Sequence, residues 1–368
     1  MLLRTPATGK KAKSTLIGIA LAALALTTSA CAHATTTAAS APSSGATGTP
    51  AAALRLGYFA NVTHSTPIVG VANGFYTGKL GSTKLTTQIF SSGSPEMTAL
   101  TSGKLDAAYV GPSSALTAYI QSKGTGLKII AGAESGGAEL VVDSSITSAA
   151  QLKGTTIADP QLGNTQDVAL RYWLKQQGYA TTQQGGGDVK IEPTANSTTL
   201  TLFEQGKIQG AWVPEPWASR LVIEGGGHVL VDEKSLWPQG QFTTTDLVVN
   251  TDYLNAHPQT VTELLEGQLA ANSWILANPA QAQTVVNAQL VKLSGKALKS
   301  SEITRSWAEE TVTNDPLADT LQEELAHAVS DGLDSNSSIN GIYDLTPLNQ
   351  ALTAAGQPAV SSDNLGPQ

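Results

Sequence analysis

The chain has 368 residues, of which 41% are hydrophobic, 14% charged and 5% aromatic, and apolar runs along most of its length exclude a disordered polymer. Acidic residues outnumber basic ones, 29 to 21, for a net charge of −8, which argues against the basic face that nucleic-acid binding requires. The single cysteine excludes an intrachain disulfide, a CxxC redox pair and a thiolate metal cluster.

The amino-terminal segment reads as a targeting signal. Arg4, Lys10, Lys11 and Lys13 precede the apolar stretch Ser14 to Leu26, followed by Thr27-Thr28-Ser29-Ala30-Cys31. The apolar stretch falls short of the roughly 20 residues a membrane span needs. Cys31 stands where a bacterial lipoprotein signal peptidase would leave it as the first residue, although Thr28 replaces the usual Leu. Residues 1–30 are therefore expected to be a lipoprotein signal peptide, and 31–53 a lipidated Cys31 with a flexible tether of Ala, Thr, Ser, Gly and Pro; a plain secretory signal with an incidental cysteine is the alternative.

From Leu54 onward, strand and helix patterns alternate. Strands are expected over 54–59, 84–90, 105–110, 127–133 and 139–142, with a helix capped by Ser94 before Pro95 and stopping at Gly103. A second series follows: strand 155–158, helix 165–177, strand 189–191, helix 198–205 and strand 209–213. Residues 102–110 (SGKLDAAYV) echo residues 205–213 (QGKIQGAWV), with four identities and the exchanges Leu/Ile and Tyr/Trp. This echo suggests a duplicated α/β lobe. A strand over 246–249, a long helix opened by His257-Pro258 and ended by Pro279, and a helix over 321–329 should return to the first lobe. The last ten or so residues, polar with Gly and Pro, are expected to be loose. The fold class is thus α/β with two lobes of mixed, mostly parallel sheets flanked by helices. Lobe one would take 54–137 with 245–368, and lobe two 138–244.

Enzyme signatures are missing: there is no G-x-S-x-G, H-E-x-x-H or G-x-x-x-x-G-K-[ST]. The five histidines (33, 64, 228, 257, 327) are too widely spaced for a local metal motif. No cofactor or metal is expected. What remains is a set of small polar groups at strand ends and helix starts, where backbone N–H groups favour anions. These are Asn61 to Pro67, Ser135-Gly136-Gly137 and Gly163 to Asp167. Each could equally be simple helix capping. Pro214-Glu215-Pro216-Trp217 forms a rigid turn with a large apolar wall, although Trp217 could merely cover a sheet end.

At these residues the chain resembles the substrate-binding proteins of ABC importers for nitrate, alkanesulfonates and taurine. The matching stretches are LRLGYFANVTH (54–64), SGKLDAAYVGP (102–112), SGGAELVV (135–142), LKGTTIADPQLGNTQDVAL (152–170), VPEPW (213–217) and LWPQGQF (236–242). The resemblance implies a two-lobe periplasmic-binding-protein fold closing on a ligand, with delivery to a membrane permease driven by a cytoplasmic ATPase. Carried over by position, the cleft would involve Asn61, His64, Ser113, Ser135, Gly136, Gly137, Asn164, Thr165, Glu215 and Trp217. A small organic anion is expected as ligand, an aliphatic sulfonate first, with taurine, nitrate or a thiamine precursor as alternatives. The receptor would be monomeric, extracytoplasmic and lipid-anchored. An enzyme on this fold, or a lipoprotein that binds a protein partner, are the rival readings.

Overall fold

The computed structural model describes residues 49–368. Cys31, the expected signal peptide and most of the expected tether lie outside the described residues. Eleven strands are described: β1 (Ala53–Phe59), β2 (Lys84–Phe90), β3 (Ala107–Val110), β4 (Leu127–Gly136), β5 (Ala138–Val142), β6 (Thr156–Asp159), β7 (Lys190–Pro193), β8 (Gly210–Pro214), β9 (His228–Asp232), β10 (Thr243–Asn250) and β11 (Glu310–Val312). They form a six-stranded sheet, β11-β4-β10-β3-β1-β2, and a five-stranded sheet, β7-β6-β8-β5-β9. This is the two-lobe fold of periplasmic binding proteins, one lobe on each sheet.

The two sheets share one plan. In each, three parallel strands lie in the order second, first, third, and the third pairs with an antiparallel strand. The echoing segments, which end in β3 and β8, occupy the same slot. Gly57 of β1 stands opposite Ala108, and Ala158 of β6 stands opposite Ala211. Tyr109 and Trp212 are both 0% exposed. The polar tip of each is satisfied: Tyr109 Oη donates to Gln268 at 2.7 Å and pairs with the Tyr76 hydroxyl at 2.6 Å, and Trp212 Nε1 donates to Glu233 at 2.7 Å. The sequence similarity therefore reflects a repeated structural position.

Burial follows the period-two alternation of strands. In β5, Leu140 and Val142 face one apolar cluster with Ile157, Leu170 and Trp212, while Val141 faces the other with Ala158, Leu200 and Phe203. The first sheet shares one larger core with the helices that follow β10. Val261, Leu264, Leu265, Leu269 and Ile275 of helix Pro258–Ala277 are buried in it. That helix ends before Pro279, which opens the next helix at its first position, where a missing N–H costs nothing.

Two expectations need correction. The helix after β2 runs Gly93–Thr101 with Ser92 at its N-cap, two residues earlier than Ser94. Pro95 still falls in the first turn, whose N–H groups have no intrahelical partner. The carboxyl-terminal residues are not loose. Leu365 is 2% exposed, and its carbonyl accepts from the amides of Gly341 at 2.7 Å and Tyr343 at 3.3 Å. Leu345 N–H donates to the Pro367 carbonyl at 2.9 Å. One buried leucine and these backbone bonds outweigh a polar composition. Deleting residues 362–368 should therefore lower stability by about 2–4 kcal/mol, the usual cost of losing a buried leucine. Urea unfolding would show it as a lower midpoint; an unmoved midpoint would contradict the packing described.

Candidate functional site

The carboxyl ends of the parallel strands in both lobes open on one gap, as ligand sites of open α/β sheets do. Four helices begin there: Gly93–Thr101 after β2, Pro112–Gln121 after β3, Thr165–Gln176 after β6 and Asn196–Glu204 after β7. Their first residues, with the short helix Val62–His64, line a cavity of about 40 Å³. Ser92, Gly93, Gly111 and Ser114 come from one lobe, and Asn164, Thr165, Gln166 and Asn196 from the other. Among the described residues, no Asp, Glu, Lys or Arg lines it.

His64 supplies no charge either. Its Nε2 lies 3.1 Å from the Tyr109 carbonyl and must donate to it, which leaves Nδ1 to accept from Thr63 Oγ1 at 3.3 Å. The ring stacks on Phe59 with centroids 4.6 Å apart. Burial holds its pKa down at about 3, so the imidazole is neutral. The field in the cavity is therefore that of helix N-termini, each equivalent to roughly half a positive charge. Such a site can hold an anion without a buried countercharge and its desolvation cost.

Thr165 Oγ1 is buried with no hydrogen-bond partner among the described residues. It lies against Gly111 of the opposite lobe, where a Cβ would come within 2.6 Å of it. Glycine at 111 thus lets the lobes approach. Asn164 caps its helix by accepting from Asp167 N–H at 2.9 Å, and its amide donates to Gln166 at 3.1 Å.

Of the residues singled out in the sequence, Asn61, His64, Asn164 and Thr165 line the cavity together. Six stand elsewhere. Ser113 donates to Glu324, and its neighbour Ser114 lines the cavity instead, because one residue turns a helix by about 100°. Ser135 sits within β4, paired on both sides with Thr243 and Thr311. Gly136 and Gly137 form the crossing between the sheets, with φ of 81° and 73°. A Cβ on Gly136 would stand 2.7 Å from the Glu309 carbonyl oxygen, so the crossing requires glycine.

Glu215 is fully buried away from the cavity. It accepts from Arg305 at 2.7 Å, from the Ser219 amide and hydroxyl at 3.1 and 2.9 Å, and from Ser306 at 2.9 Å. With both oxygens engaged, it has no capacity for a ligand's cation. Trp217 Nε1 donates to Asn61 Oδ1 across the lobes at 3.1 Å, and the Arg220 guanidinium lies 4.6 Å from the Trp217 ring centre. The ring lines a neighbouring chamber of about 620 Å³. The sequence reading missed Ser91, Ser92 and Asn196. Their signal was available, since Ser91 and Ser92 directly follow a strand and Asn196 opens the helix that follows another.

Buried carboxyls elsewhere set the pH response. Burial raises Glu134 and Glu233 to about 8 and Glu139 and Glu324 to about 7. The folded state then binds more protons than the unfolded chain above the ordinary carboxylate range, so stability falls as pH rises. His64 at about 3 and His327 at about 4 act in the opposite sense, but only below the unfolded histidine value of about 6.5. From pH ~6.5 to ~8.5 only the carboxyls act. The thermal midpoint should drop across that window while affinity for a permanently charged anion stays flat. Scanning fluorimetry and calorimetry check the two halves; a rising midpoint would refute the assignment.

Among the described residues, no group of three or more His, Cys, Asp or Glu is placed to hold a metal ion, and no helix is long and apolar enough to cross a membrane. Fold and cleft together define a two-lobed binding protein. The chain belongs to the NMT1-like family, whose pattern matches residues 47–290. A Brucella abortus protein named only as a binding protein is 24% identical over 263 residues, covering 68% of this chain and 79% of that one. The alkanesulfonate-binding protein SsuA of Xanthomonas axonopodis pv. citri, solved bound to MOPS, superposes with a TM-score of 0.65 at 20% identity, covering 77% of this chain and 95% of that chain. The periplasmic nitrate-binding protein NrtA of Synechocystis gives 0.68 at 16% identity, covering 86% and 88%.

Proposed function

We propose that this protein is the extracytoplasmic receptor of an ABC importer. It captures a small organic anion, an aliphatic sulfonate, between its lobes and delivers it as a monomer to a permease powered by a cytoplasmic ATPase. The observation that carries this reading is the meeting of four helix N-termini on a cavity lined by no ionised side chain. A sulfonate is charged at every physiological pH, so it needs fixed donors rather than a proton acceptor. The sulfonate bound to the Xanthomonas relative supports the same chemistry. Nitrate and bicarbonate, named for other relatives, make the same demand on a headgroup site. Taurine fits less well, because its ammonium would need a carboxylate and Glu215 is already saturated.

A thermal-shift panel of alkanesulfonates, nitrate, bicarbonate, taurine and thiamine precursors tests the reading. At a hundred times its Kd a ligand specific to the folded state adds about 2.7 kcal/mol. The Thr165→Val variant should bind the best sulfonate roughly tenfold or more weakly, through loss of a bond to a charged group. The ligand should be recovered chemically unchanged; a converted product would make the protein an enzyme.

Membrane attachment through Cys31 is part of the proposal, supported by the charged and apolar segments that precede it. Expressed in a bacterial host, the protein should partition into detergent and incorporate a palmitate analogue, and Cys31→Ser should abolish labelling. Secretion of unmodified wild-type protein would rule the anchor out.

A further inference from the structure

The 40 Å³ cavity has room for a headgroup and little more, since a single water needs roughly 10–15 Å³ on the same measure. Two larger spaces adjoin it. One, of about 560 Å³, is lined mainly by polar side chains such as Ser94, Thr98, Thr117, Gln121 and Gln183, and shares only Ser114 with the cavity. The other is the 620 Å³ chamber, which shares Phe59, Asn61, Ser91 and Asn196 with the cavity and so continues it directly.

The chamber's walls come from both lobes. Phe90, Leu293 and Leu298 belong to the first, and Leu200 and Trp217 to the second. Three of its charged groups neutralise one another, since Glu224 accepts from Arg220 one turn earlier and from Lys296 of the other lobe at 3.2 Å, and the fourth, Glu204, is an acid. The Lys296 side chain is 57% exposed, which puts this interlobe bridge at the solvent edge of the chamber. With both cations paired, an acid at Glu204 and large apolar side chains such as Phe90, Leu200, Trp217 and Leu293 in its walls, the chamber is not a second anion site.

We infer that the chamber is a subsite for an apolar arm carried by the anion. The substrate class is then an organic anion with an extended aliphatic or aromatic substituent, rather than an inorganic anion or a methyl-sized one. This rests on the headgroup reading above. The head would meet the helix N-termini while the arm passes Phe59 and Asn61 into the space beside Trp217. With the lobes closed, that arm would lie beneath the Glu224–Lys296 bridge.

Titration calorimetry on the full chain, with methane-, butane-, hexane- and octanesulfonate and alkylammonium ions of equal length, tests this. Sulfonate affinity should climb roughly fourfold per methylene over the first few carbons. The ratio of octane- to methanesulfonate affinity should fall roughly tenfold or more in Trp217→Ala and in Leu293→Asp, two variants in different elements that guard against a simple folding defect. Methanesulfonate binding with no chain-length slope in the wild type would overturn the arm subsite and leave the headgroup reading intact. Equal slopes for sulfonates and ammonium ions would uphold the subsite and overturn the headgroup reading. Absence of binding in both series would overturn both.

Discussion

One guanidinium holds the two lobes together beside their crossing point. Arg305, on helix Ser300–Glu309 next to β11, reaches Glu139 of β5 at 2.6 Å and Glu215 after β8 at 2.7 Å. Both carboxylates are almost wholly buried and repel one another, and burial together with Glu215 raises Glu139 to about 7. Without Arg305 they would be left as uncompensated buried acids, an arrangement far costlier than losing the whole network. The same spot carries the Gly136-Gly137 crossing, whose Gly137 carbonyl accepts from the Glu215 amide at 2.8 Å. The spacing of the sheets, and hence the width of the cleft, depends on this knot.

The protein carries a net charge of −8, yet its cleft suits an anion. Acids near the hinge and core are paired with a cation, as Glu215 is with Arg305 and Glu309 with Lys234, or shifted by burial toward the protonated form, as with Glu134, Glu310 and Asp246. The cavity itself is governed by backbone dipoles, whose direction is fixed by the strand-to-helix turns. Attraction for the ligand is therefore local and survives an overall acidic surface.

Elements with strong periodicity were legible in the sequence. β2 and the helix from Thr165 match their expected spans almost to the residue, and the echo of 102–110 in 205–213 marked the repeated central strand. Side-chain direction was not legible. Ser113 and Ser114 are adjacent in sequence but point to different partners, and nothing in the pattern says which faces the gap. Glu215 finds its cation 90 residues further along the chain, on a helix the sequence reading did not identify. Leu365 escaped notice because a single leucine among polar residues has no period to detect.

The way the chain visits the two sheets has a consequence for the order in which they form. The strands of the second sheet, β5 to β9, are contiguous in sequence, so that sheet is complete once Asp232 has been made. The first sheet receives β10 between β3 and β4 only afterwards, and its edge strand β11 later still. Until residues 243–250 arrive, β3 and β4 lack the partner that joins them, and the pairing that closes the gap spans a long stretch of chain. Such non-local closure is intrinsically slow. Completion of the first sheet therefore waits on a segment made after the whole of the second, so the second sheet can form while the first still lacks the strand that joins its halves.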